Sequence, residues 1–419
     1  MTLLPLACQS LLNRRFAALL TVLTIAVSVT LLLGVEKIRR QARDSFASTI
    51  SGTDLIIGAR SGAVNLLLYS IFHIGDATNN VSWQSYQEIS ASPQVAWSVP
   101  IALGDSHKGF RVVGTTPEFF TRYHYGAHHE LAFDSGKPFD DVYDAVIGAE
   151  VAARLGYTLD QQIVVAHGMG AVSFVEHKDK PFRISGILAR TGTPVDASVL
   201  ISLQAIEAIH IDWQSGARVP GQTISADAAK KMDLTPKTIT AFLLGLKSRV
   251  ATFALQRQIN DYRAEPLLAI LPGIALQELW GLVGTAENAL LIVSALVVIT
   301  GLLGMLTALV TTLNERRREM AILRSVGARP RVVFGLLVLE AALLTMLGIV
   351  LGIAFLYLAL AFAQSPIESH YGILISQNAP TARELLMIAL VAAGGVFAGI
   401  VPAALAYRNS LADGLSLRL

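Results

Sequence analysis

Of 419 residues, 53% are hydrophobic and 15% charged, with a mean hydropathy of +0.53 and a formal net charge of +2. That composition excludes an ordinary soluble protein and a disordered chain, and the length leaves room for membrane-embedded and water-soluble parts together. Basic residues do not cluster outside one short loop, so nucleic-acid binding has no support.

In chain order, residues 16–35 form the first apolar run long enough to cross a hydrocarbon core about 30 Å thick, which takes about 20 helical residues. Glu36-Lys37-Ile38-Arg39-Arg40 follows with no small-residue cleavage site, so the run reads as an uncleaved anchor and not as a signal peptide. Ile38, Ala42, Phe46 and Ile50 continue at helical spacing among charges, which predicts a helix running on out of the membrane. A mirror element is predicted over 274–288, where Leu276, Leu279, Val283 and Ala286 share a stripe. Together the two would make a stalk. Cys8 is the only cysteine, so no intramolecular disulfide forms.

Between these elements the pattern is α+β. Residues 95–103, a turn at Gly104-Asp105-Ser106 and residues 109–113 predict a hairpin. Residues 145–148 predict a strand feeding a helix over 149–155 that ends at Gly156. Strands follow over 163–166, 182–188 and 199–201. Ser202 is the candidate cap of a helix over 203–209, and a strand over 239–246 precedes a helix over 250–262. His124, His128, His129 and Glu130 are the metal-like cluster legible in the sequence. Tyr125-Gly126 between the first two argues for a surface loop, and no metal is expected.

Three further spans are predicted over 286–313, 332–363 and 384–407, the last three runs crowding together after a gap of about 250 residues. One large domain, 36–285, is therefore inserted after the first span. The loop 314–331 carries six arginines and two glutamates. Arginine-rich short loops stay in the cytoplasm, which places residues 1–15 and 408–419 there and the inserted domain and the loop 364–383 outside. Within 314–331, Met320, Leu323 and Gly327 share a helical face, Glu315 can meet Arg318, and Glu319 can meet Arg316. Gly327 suits a left-handed C-cap and Pro330 bars continuation, so a short coupling helix is expected. Glu340 lies inside the third span, with Thr311 or Thr312 as candidate partners, and Gly348 and Gly352 form a Gly-x-x-x-Gly contact motif.

The segment from Glu315 to Ala328, with Arg317, Arg318, Glu319, Ala321, Ile322, Leu323, Arg324 and Gly327, closely resembles the coupling region of MacB/FtsX-type (type VII) ABC transporter permeases. SLLNRRFAALLTVLTIAVSV resembles that family's first helix, IGAEVAARLGYTLDQQIVV and FRISGILARTGTPVDASVLI resemble pieces of its periplasmic core domain, and PAALAYRNSLADGLSLRL its closing pattern. Met320 and Pro330 depart from the pattern mildly. The resemblance implies a four-span α-helical membrane protein of the inner membrane with both termini cytoplasmic, carrying an α+β periplasmic domain on a helical stalk. It implies a non-catalytic subunit: no G-x-x-x-x-G-K-[ST] occurs, so ATP and Mg would be bound by a separate ABC ATPase, and no cofactor by this chain. Glu315, Arg318, Glu319, Leu323 and Arg324 would meet that ATPase, and a second permease, identical or a sister chain, would complete the assembly. Export or extraction of a lipid-linked or peptide-like substrate, with a periplasmic adaptor or lipoprotein as partner, competes with activation of a cell-wall hydrolase. A stand-alone sensor whose arginines bind only membrane lipids is the third reading.

Overall fold

The computed structural model describes residues 3–168, 177–214, 217–218, 224–325, 327–371 and 379–412. They divide into a unit of long apolar helices and an α+β unit built on residues 42–283. After a first helix, Leu3–Asn13, the long helices are α1 (Arg15–Ser48), α4 (Pro272–Ser325), α5 (Pro330–Tyr371) and α6 (Ala382–Ala412), with α2 (Ala149–Leu155) and α3 (Leu203–His210) in the other unit. Among the described residues, four helices are long and apolar enough to cross a membrane, over Arg15–Asp44, Pro272–Leu313, Pro330–Ala363 and Ala382–Arg408. Each exceeds the roughly 20 residues a bilayer core needs. The predicted first span and its charged continuation are one helix, as are the predicted mirror element and second span.

The α+β unit is built on an 11-stranded sheet. Its strands are β1 (Leu55–Ala59), β2 (Val95–His107), β3 (Phe110–Thr115), β4 (Phe133–Gly136), β5 (Asp144–Ile147), β6 (Gln162–Ile163), β7 (Ala166–His167), β8 (Phe182–Leu188), β9 (Ser198–Ser202), β10 (Ala241–Leu246) and β11 (Leu267–Ile270). The order is β11-β1-β10-β2-β3-β9-β5-β8-β4, with β6 on β8 and β7 on β2. β9 runs parallel to β3, and β8 parallel to β5; the other pairs are antiparallel. Helix α2 (Ala149–Leu155) follows β5. Helix α3 (Leu203–His210) follows β9, and its Ser202 cap accepts a hydrogen bond from the Ala205 N–H, as the sequence predicts.

Both faces of the central strands are covered. Ile56, Val113, Val146, Leu200 and Leu243 join one core with Leu66 and Leu67 of helix Ala63–Ile71. Their neighbours Val112, Ala145, Ile147, Val199 and Ile201 pack on the opposite side beneath α3, and Leu55, Ile57, Phe242 and Leu244 pack there beneath Leu255 and Ile259. Successive strand residues point to opposite faces, so two buried faces require the near-continuous apolar runs that the sequence carries. Within this unit Phe46 also stacks 4.6 Å from Phe72 and 5.7 Å from Trp280, which draws the end of α1 and the start of α4 onto the same core.

Two local predictions need correction. The hairpin reverses at Lys108-Gly109, with φ of 46° and 87°, and not at Gly104-Asp105-Ser106. Successive left-handed residues match the twist of a two-residue hairpin, whereas the Gly-Asp-Ser triplet is absorbed as an irregularity of β2 between Leu103 and Ser106. The histidine loop is a small hairpin, His124–Tyr125 against His129–Glu130, turned by Gly126 (φ 55°) and His128 (φ 62°).

Candidate functional site

The segment expected to form a short coupling helix is not a separate helix. It is the end of α4, which runs unbroken through Ser325. Glu315, Arg318, Glu319, Leu323 and Arg324 occupy helical backbone there, while their side chains lie outside the described residues. Gly327 has a φ of 94°, a conformation that costs glycine little and other residues more, so the chain turns where the sequence predicts. Pro330 then opens α5 as its first residue, where its missing N–H would have had no helical partner. Beside this turn, Arg331 and Phe334 of α5 line a cleft with Ala404, Tyr407 and Arg408 of α6. Just before α1 begins, the Arg14 guanidinium donates to the Thr312 carbonyl of α4 at 3.3 Å.

Glu340 is fully buried in α5. Thr311 and Thr312 donate their hydroxyls to carbonyls of their own helix, at Thr307 and Ala308 and at Ala308 and Leu309. Neither hydroxyl therefore gives its proton to Glu340, contrary to the expected donor role.

Gly348 and Gly352 sit where α5 crosses α1. A Cβ on Gly348 would stand 2.6 Å from Ile25 Cγ2, and one on Gly352 would stand 2.7 Å from the Ala26 carbonyl. The Thr30 hydroxyl bridges the same seam, donating to Ala26 O at 2.8 Å and Gly352 O at 2.9 Å. Sequence reasoning missed the matching seam between α5 and α6. There a Cβ on Gly395 would meet Thr345 Oγ1 at 2.1 Å, and one on Gly399 would meet Ala341 Cβ at 2.4 Å. Gly395-x-x-x-Gly399 is the same motif and was open to the same search.

Also unforeseen is a charge network centred on the buried Glu36. Glu36 of α1 pairs with Arg39 at 3.0 Å and with Arg383 of α6 at 3.2 Å, and Arg39 reaches Glu287 of α4 at 3.5 Å. Three of the long helices are joined by these charges. The sequence showed only charged residues flanking apolar runs, and pairing across 347 positions has no local signature. The expected metal-like group is loosely arranged: His124 and His128 ring centroids are 6.2 Å apart, and His124 Nε2 lies 4.0 Å from Glu130.

Comparison with known proteins decides the family. The MacB-like periplasmic core domain matches residues 18–262, and the FtsX-like permease C-terminal domain matches residues 291–411. The chain belongs to the MacB/FtsX-like permease family. It is therefore a transmembrane permease of the ABC-transporter class. The macrolide export ATP-binding/permease protein MacB of Shewanella oneidensis is 24% identical over 384 residues, covering 86% of this chain and 53% of that relative. The chain thus spans about half the length of the curated relative it matches. Two solved structures are similar at 11% identity: the periplasmic region of MacB from Actinobacillus actinomycetemcomitans, and the extracellular domain of the noncanonic ABC-type transporter YknZ from Gram-positive bacteria. The first covers 55% of this chain and 94% of its own length with a TM-score of 0.34, and the second 52% and 99% with a TM-score of 0.29.

Proposed function

We propose that this MacB/FtsX-like permease transmits the ATP-driven movement of a separate ABC ATPase to its α+β domain, and that it thereby exports or extracts a lipid-linked or peptide-like substrate. The observation that carries the reading is the continuity of α4. Its 54 residues make about 80 Å of helix at 1.5 Å each, well beyond a bilayer core of about 30 Å. A stiff rod of that length, ending in the Glu and Arg segment and stopped at Gly327, suits a lever with its input at the cytoplasmic end. In this reading the four long helices are the spans, both termini are cytoplasmic, and the outer parts of α1 and α4 serve as a stalk. ATP and Mg belong to the partner, and a second permease completes a dimer.

Glu315, Arg318, Glu319, Leu323 and Arg324 are assigned to the ATPase contact. Glu319→Arg and Leu323→Asp are each expected to abolish stimulation of the co-purified ATPase while membrane insertion stays normal. Normal stimulation in both variants rejects the assignment. Recovery of a cell-wall hydrolase bound to the α+β domain, in place of an adaptor or lipoprotein, would move the output from export to hydrolase activation with the same lever.

A further inference from the structure

The permease reading makes no use of Asp105, His167, His177 and His210, which converge in the α+β unit. Their ligand atoms all lie within 4.8 Å of one another. The fold brings them from four places. The irregularity in β2 holds Asp105, and β7 pairs with it so that His167 stands directly opposite. His210 is the last residue of α3, and the His177 N–H donates to the Val165 carbonyl at 2.9 Å, which returns the chain beside β7. Over a separation of 105 positions no short motif announces the group.

The spacing is informative. His167 Nδ1 lies 3.0 Å from Asp105 Oδ1, His210 Nε2 lies 3.6 Å from the same oxygen, and the two imidazole nitrogens are 3.3 Å apart. A tetrahedral ion with bonds of about 2.0–2.1 Å has ligand–ligand edges of roughly 3.3 Å. These three edges thus already frame one face of such a shell, and the His177 ring, 5.3 Å from that of His210, supplies the fourth corner.

His210 Nδ1 lies 2.8 Å from the Ile206 carbonyl, a contact that orients the ring and leaves Nε2 facing the group. Asp105 and His177 are buried, whereas the His167 side chain is 44% exposed and leaves a path from solvent.

We propose that Asp105, His167, His177 and His210 form a four-coordinate site for one divalent transition-metal ion, with zinc as the ion their donor set fits. Three imidazoles and one carboxylate suit a borderline-soft ion and exclude the hard, oxygen-rich environment that calcium or magnesium needs. Four protein ligands close the shell, so the site is structural: occupancy ties β2, β7 and α3 together.

The test uses the full chain in detergent, stripped with a chelator and titrated with zinc chloride or cobalt chloride. One zinc per chain at micromolar concentration is expected, together with an intense tetrahedral d–d absorption from cobalt. His167→Ala is the decisive variant, because an exposed side chain outside the apolar cores can be removed without disturbing the fold. It should weaken zinc binding by at least the about 100-fold that loss of an outer-shell partner can cost, while His124→Ala/His128→Ala leaves binding unchanged. Sub-stoichiometric zinc, a weak octahedral cobalt spectrum, or unchanged affinity in His167→Ala would each overturn the proposal and leave an imidazole cluster that merely hydrogen-bonds Asp105.

Discussion

Replacing Gly352 with alanine tests whether the seam between α1 and α5 is as tight as its geometry indicates. The new Cβ would stand 2.7 Å from the Ala26 carbonyl and 2.9 Å from Val29 Cβ, and a helix backbone cannot swing aside as a side-chain tip can. Relief requires the two helices to part by roughly half an ångström, which stretches the 2.9 Å hydrogen bond from Thr30 to Gly352 O. Overpacking costs about 1–3 kcal/mol and an interhelical hydrogen bond in a membrane about 0.6 kcal/mol, so Gly352→Ala should lose about 2–4 kcal/mol. The control is Gly304→Ala, where a Cβ meets nothing within 4 Å. Alanine there should stabilise the helix by about 0.5–1 kcal/mol through lower backbone entropy in the unfolded chain. The four tryptophans, Trp83, Trp97, Trp213 and Trp280, all fall within residues 42–283, so fluorescence follows the α+β unit while far-UV circular dichroism is dominated by the long helices. Thermal unfolding of the detergent-purified chain by circular dichroism should therefore show a lower midpoint for Gly352→Ala and no loss for Gly304→Ala. Equal midpoints for the two variants would refute the argument from close contact. Thr30→Val should lose only the hydrogen-bond share, and its effect should shrink in a Gly352→Ala background, since the bond is already stretched there.

Lys180 and Asp212 form a fully buried pair at 2.6 Å. Lys180→Met leaves the carboxylate without its principal cation and should cost about 3–5 kcal/mol; in hydrogen exchange of the full chain, amides of β8 would lose roughly two to four orders of magnitude of protection, and an unchanged pattern would contradict the pairing. His73 sits with Nδ1 3.0 Å from Ser198 Oγ; the Ser198 proton goes to the Pro194 carbonyl, so the imidazole is the donor. Burial first and Arg111 second push His73 from 6.5 down to about 4. Its folded value is depressed, so the unfolded chain takes up the proton first: this contribution is complete above about pH 6.5 and is lost as pH falls toward 4, up to about 3 kcal/mol. His73→Gln should flatten the fluorescence-detected midpoint across that window relative to the wild type, and parallel pH profiles would exclude His73 as the source.

Features set by near neighbours in the chain were legible. Apolar runs longer than a bilayer core, the arginine-rich segment before Gly327, the cap at Ser202 and the strand of residues 182–188 all follow from periodicity and turn chemistry within a few residues. The same local logic misplaced the hairpin turn, because Gly104-Asp105-Ser106 and Lys108-Gly109 are both turn-forming and only the pairing of β2 with β3 selects between them. It also divided α4 in two, since a change from apolar to charged residues marks a change of environment and not a break in the backbone hydrogen-bond ladder. Family membership was readable because the coupling and core-domain motifs are contiguous. What only the tertiary structure decided is which distant side chains meet. Glu36 with Arg383, Gly395 with Thr345, and Asp105 with three histidines are contacts made by helix crossing and strand register. Sequence spacing governs neighbours along a helix or strand, whereas contacts between elements depend on how the whole chain buries its apolar surface.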